Sequence, residues 1–137
     1  MKYFLLLFIL VCFSCQTSKE SKSGASLEDL KSEVLSIHDE VMPKMSDLRR
    51  TRKDLMLMAD SIMSVDSLQA SLLNTLADDL GNASEGMMQW MRNYEPDFEG
   101  TEEEVRTYFE AQKASIQKVK EEMESALKNG QEQISSN

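Results

Sequence analysis

Thiols, histidine and prolines are scarce in this chain, and each scarcity excludes something. Both cysteines, Cys12 and Cys15, fall within the first fifteen residues. If a leader is removed after Ser14 and Cys15 is modified, no free thiol remains, so disulfides and thiolate metal sites are excluded even in a compartment that permits them. His38 is the only histidine, which leaves no Cys/His cluster for structural zinc. The five glycines build no phosphate-cradling loop, and no nucleophile has a recognisable base, so an enzyme is not expected. Gly81 and Gly86 lie in a helical stretch and read as close-packing or weak points. Basic side chains number 15 against 24 acidic ones. Removing Lys2 with a leader leaves 14 against 24, a formal charge of −10, which repels nucleic acid. Beyond residue 13 no apolar run approaches the ~20 residues that a membrane-crossing helix needs.

What is present begins with a leader. Met1 and Lys2 give a positive start, residues 3–13 (YFLLLFILVCF) are apolar, and Ser14 closes the run with a small side chain. That is the layout of a secretory signal peptide over residues 1–14. The tetrad CFSC, residues 12–15, resembles the loose lipobox of Bacteroidota lipoproteins, in which a small residue directly precedes the modified cysteine. It departs from the stricter form, which has Leu three positions before the cysteine. Cys12, preceded by bulky Val11, is a poorer lipidation site than Cys15. The alternative is an ordinary secreted protein with an incidental cysteine. Each buried acyl methylene contributes roughly 0.8 kcal/mol, so two or three chains (palmitate or similar) anchor stably. Residues 15–25 then hold the lipidated cysteine and a flexible tether, whose polar, unpatterned stretch spans roughly 17 to 19 Å. Gln16 does not resemble an inner-membrane retention signal, and the tether has no clear acidic export run. The expected location is the cell envelope, on the outer membrane facing the periplasm, with surface exposure open.

Some 110 residues remain, enough for one domain with one core. Three capping signatures, Ser26 with Asp29, Asp66 with Gln69 and Thr101 with Glu104, each precede an apolar pattern with helical spacing. They predict helices over about 26–62, 66–94 and 101–129, in a domain of residues 26–134. The first carries Leu27, Val34, Val41, Leu48, Leu55 and Ile62. The second carries Leu68, Leu72, Leu76, Leu80, Ala83, Met87, Trp90 and Tyr94, and the third Val105, Phe109, Ile116, Val119, Met123 and Ala126. Residues 63–65 and 95–100 are short connections, so the expected fold is an all-α, antiparallel three-helix bundle, up-down-up. Pro43 inside the first helix removes a backbone hydrogen bond and crowds the carbonyl of Asp39, so a kink or break is expected there. A hairpin folded near Ser64 brings Arg49, Arg50 and Arg52 to the level of Asp78 and Asp79, and a fold about Phe98 adds Lys118 and Lys120.

The same hairpin sets His38, Met42 and Met45 opposite Met87, Met88, Trp90 and Met91. Thioethers and an imidazole suit a soft ion such as Cu(I), and an indole can face a cation. Against this stands ordinary packing, because methionine fills irregular core gaps and contacts aromatic rings, with His38 at the core edge bonded to a carboxylate or carbonyl. Two triplets, Asp60, Ser61, Ile62 and Asp66, Ser67, Leu68, resemble the short O-glycosylation signal of Bacteroidota, making Ser61 and Ser67 possible acceptors. Against that stand chance and the role of Asp66 as a cap.

The stretches HDEVMPKM (residues 38–45) and MMQWMRNYEP (residues 87–96) resemble a group of small Bacteroidota lipoproteins, some labelled as viral A-type inclusion protein-like. The resemblance implies compartment and fold and transfers no activity or functional residue. The expected function is a non-enzymatic, lipid-anchored envelope protein whose bundle meets another protein or its own copies. The alternative is a Cu(I) or small apolar ligand module at the His/Met/Trp level.

Overall fold

The structure, a computed structural model, describes residues 26–136. The leader, Cys15 and the tether lie outside the described residues. Four helices follow one another: α1 Leu27–Val41, α2 Lys44–Ile62, α3 Ser67–Asn93 and α4 Glu102–Ser135. No strand occurs among the described residues.

The starts of α1, α3 and α4 are fixed by side chains, as their sequences imply. The Ser26 hydroxyl accepts from the Asp29 amide, while the Asp29 carboxylate accepts from the Ser26 amide. Thr101 and Glu104 form the same reciprocal box. At α3 the Asp66 carboxylate accepts from the Gln69 amide at 2.9 Å. Each cap satisfies amides that would otherwise have no partner in the first turn.

The expected kink is present, and it is sharp enough to divide the first helix. The chain leaves α1 through the Met42 amide, bonded to the His38 carbonyl, and re-enters helix with the Met45 amide bonded to the Met42 carbonyl. Pro43 lies between them with no N–H to give the Asp39 carbonyl. Val41 and Met45 are both buried, so the apolar stripe passes through the break without losing its facing.

α1 packs on α4, and α2 packs on both α3 and α4. One core holds Val34, Val41, Leu48, Leu55, Leu73, Leu80, Met87, Ile116 and Met123. A smaller one, Leu30, Val105 and Phe109, is closed by Leu27, Phe98 and Tyr108 at the start of α1. Glu33 pairs with Lys113, Glu40 with Lys120 and Lys44 with Glu124, each pair eighty positions apart.

Two expectations are corrected. The last helix does not stop at Asn129 but runs to Ser135. Gly130 is buried inside it, where a Cβ would stand 2.8 Å from Thr51 Cγ2 and 3.2 Å from Leu80 Cδ1. Its glycine permits close helix contact. In α3 the buried stripe is Ala70, Leu73, Ala77 and Leu80, while Leu68 and Leu72 are 82% and 45% exposed. Two small alanines let the helices approach on that side and turn the larger leucines out. Arg52 lies against Gly81, one turn beyond Asp78, and Lys118 lines the same hollow as Asp79, while the ion pairs of neighbouring cations join Lys120 to Glu40, Lys118 to Glu122 at 3.6 Å and Arg50 to Asp47.

Candidate functional site

The aromatic residues form a connected string through one end of the bundle. α1 contributes His38, whose ring lies 5.8 Å from that of Trp90 on α3. Trp90 stacks on Tyr94 one turn later at 4.8 Å. Tyr94 meets Phe109 of α4 edge-on at 6.3 Å, Phe109 meets Tyr108 at 5.1 Å, and Tyr108 stacks on Phe98 of the α3–α4 loop at 4.2 Å. Such pairs contribute roughly 0.5–1.5 kcal/mol each beyond the area they bury. The Glu95 amide donates to the Tyr108 hydroxyl at 2.6 Å, tying the loop to the string. The Lys31 ammonium lies 5.1 Å from the Phe109 ring centre. Burial pushes the Tyr94 hydroxyl up from its ordinary value, with Tyr108 and Asp97 adding to the effect.

His38 is partly exposed, and its Nδ1 is 2.9 Å from Asp39 Oδ1, the core-edge placement that packing alone would give it. Met45 and Met87 are buried, and Met42 and Met91 pack half-buried on the same cluster as Trp90. Met88 is 40% exposed and takes no part. The structure sets His38 beside Trp90 and places Met42, Met45, Met87 and Met91 in or against the core cluster that also holds Trp90. Trp90 Nε1 is buried without a hydrogen-bond partner, an arrangement that costs roughly 1–3 kcal/mol. Among the described residues no group of three or more His, Cys, Asp and Glu side chains is placed to hold a metal ion.

A second feature lies at the α2–α3 turn, and sequence reasoning missed it. Met56, Leu57, Met63, Val65, Leu68 and Leu72 are all exposed, Val65 by 89% and Leu57 by 57%. Among the described residues the other large exposed apolar side chains, Leu35 and Met88, lie elsewhere. Assigning Leu68 and Leu72 to the core hid this patch. The available signal was that residues 65–76 hold more leucine and valine than one helical face can bury. Next to it on α2, Arg49, Arg52, Lys53, Met56, Leu57 and Asp60 line a shallow groove of about 330 Å³. Ser61 and Ser67 are exposed in this region too, and the Ser61 hydroxyl donates to the Met58 carbonyl at 2.7 Å. The larger hollow of about 640 Å³ between α2 and the end of α4 is wide open and flanked by Lys44 and Glu124, which are already paired with each other.

Fold and surface together define a class: an all-helical bundle with a packed aromatic end and an uncovered apolar end. No family model, curated protein or solved structure matches the chain. Among the described residues no helix is long and apolar enough to cross a membrane.

Proposed function

We propose that this chain is a non-enzymatic, lipid-anchored cell-envelope protein whose helical bundle is a protein-interaction module working through its α2–α3 end. The observation that carries the reading is the exposed apolar patch of residues 56–72. Six large apolar side chains exposed within one short stretch of chain are the kind of surface that meets a partner, whereas single exposed leucines are not. The helices run up-down-up in this reading, and the ion pairs support it: a constant offset of eighty positions between α1–α2 and α4 is the arithmetic of two helices pointing the same way. Contacts of Met45 with Ser84 and of Gly81 with Arg52 run in opposite senses along the chain, as antiparallel neighbours require.

The start of α1 packs with the α3–α4 loop residue Phe98. The patch is then at the far end from the amino-terminal tether, displaced by up to ~54 Å, the rise of about 36 helical residues. Acylation at Cys15 rests on the apolar leader and the small residue before the cysteine, and we assign the protein to the periplasmic face of the outer membrane. Palmitate incorporation lost in Cys15→Ala tests the anchor. For the patch, a photoreactive side chain at Leu68 is expected to yield a discrete protein adduct in the cells that make the chain, while one at exposed Ser32 yields none. No adduct at Leu68 would contradict the reading.

A second reading is favoured by the partly exposed His38 and the buried, unpartnered Trp90 Nε1. In it His38 and the thioethers of Met42 and Met91 hold Cu(I), or the level takes a small apolar ligand. Anaerobic Cu(I) titration should then quench Trp90 and raise thermal stability, with both effects lost in His38→Ala; unchanged fluorescence and stability would remove it.

A further inference from the structure

Helix α2 carries an ordered sequence of chemistries along its outer face: basic Arg49, Arg52 and Lys53, then apolar Met56 and Leu57, then acidic Asp60. Met56 and Leu57 are 44% and 57% exposed. Lys53 and Asp60 are also exposed, and neither forms an ion pair among the described residues. A surface ordered basic, apolar, acidic along one line is complementary to itself when turned end for end. The pairs Lys53 with Asp60 and Met56 with Leu57 are symmetric about the same point on the helix. A single twofold axis there therefore lays apolar on apolar and cation on anion simultaneously.

Building on the proposed interaction role, we infer that the partner of this face is a second copy of the chain, docked with the two α2 helices antiparallel about Met56 and Leu57. The contact is isologous, so each favourable pair occurs twice: Lys53 of each copy meets Asp60 of the other. The exposed turn residues Met63 and Val65 flank it on both sides. Net charge alone would hold two such acidic chains apart. Lys53 on α2 is the local exception, and its pairing with Asp60 gives the contact its register.

The test uses charge reversal in the full chain, solubilised in mild detergent and followed by sedimentation from micromolar to sub-millimolar concentration. The unaltered chain is expected to dimerise. Lys53→Asp and Asp60→Lys are each expected to weaken association by roughly tenfold or more, since each removes two pairs and creates two repulsions. The double variant K53D/D60K restores association, and so does an equimolar mixture of the two single variants, because the twofold contact then pairs opposite charges again. Both sites are exposed, and unchanged far-UV circular dichroism verifies that every variant is folded. A chain that stays monomeric throughout overturns this inference, and so does a dimer indifferent to the reversals. If the Leu68 crosslink still captures a different protein, the interaction role stands while self-docking falls. If neither association nor adduct is found, both fall.

Discussion

Gly130 and Gly81 are both glycines inside helices, yet their surroundings differ. At Gly130 a Cβ would press on Thr51 Cγ2 at 2.8 Å and on Leu80, both held in the core, whereas at Gly81 it would meet the Arg52 guanidinium at 3.2 Å, the far end of a flexible side chain. Overpacking costs roughly 1–3 kcal/mol, against roughly 1 kcal/mol of helix propensity gained on replacing glycine with alanine. Gly130→Ala should therefore lower stability by up to about 2 kcal/mol, and adding Thr51→Ser should recover part of it. Gly81→Ala should raise stability by about 0.5–1 kcal/mol as Arg52 swings aside. Urea unfolding monitored at Trp90 measures both. The residue scale is also where the sequence was least complete. His38 at the core edge beside a carboxylate was legible from its neighbours, and Met45 and Met87 were legible as core. The role of Gly130 was not, because a close approach is set by a residue on another helix, and local composition carries no record of it.

The elements begin where their caps are written, and the caps titrate. The Ser26 hydroxyl and then its amide hold the Asp29 carboxyl below its ordinary value, and the Thr101 amide and then its hydroxyl do the same for Glu104. A carboxyl depressed in the folded state contributes stability that is present above its unfolded pKa and is lost as pH falls through the lowered folded value. Helicity should therefore decline on acidification through and below the usual carboxylate range, and circular dichroism of the variant lacking both cap hydroxyls, S26A/T101A, should show a shallower decline. Thr101→Ala alone should cost about 1 kcal/mol of stability at neutral pH. Lys120 runs the other way: its bond to Glu40 raises it, so that contribution is present below the ordinary lysine value and is lost as pH rises through the raised one. Glu40→Gln should flatten the alkaline limb. Helix starts and the break at Pro43 were legible because capping and the missing proline N–H are local chemistry. The stripe of α3 was misread because two apolar registers coexist there, Leu68 with Leu72 and Ala70 with Leu73. Only the fit against α2 selects the alanine one. The end of α4 was misread for the reason already seen at Gly130.

At the scale of the molecule the two ends have unlike surfaces. The end holding Phe98, Tyr94, Tyr108 and Phe109 is closed by stacked rings, while the end holding Val65 and Leu68 is open. Caps, apolar spacing and net charge indicated an all-helical acidic bundle, but an uncovered apolar end is visible only once the helices have lengths and partners. The Leu68→Ser variant separates folding from interaction: removing a leucine that is 82% exposed should change unfolding free energy by less than about 0.5 kcal/mol while weakening the Leu68-region contact. The most direct test of the account is amide hydrogen exchange across residues 56–72, compared between the chain in its own membrane fraction and the dilute purified chain. Exchange there should be at least tenfold slower in the membrane fraction, with residues 27–41 unchanged. Equal rates over 56–72 in both settings would mean that nothing covers the open end, contradicting its role as the interaction surface.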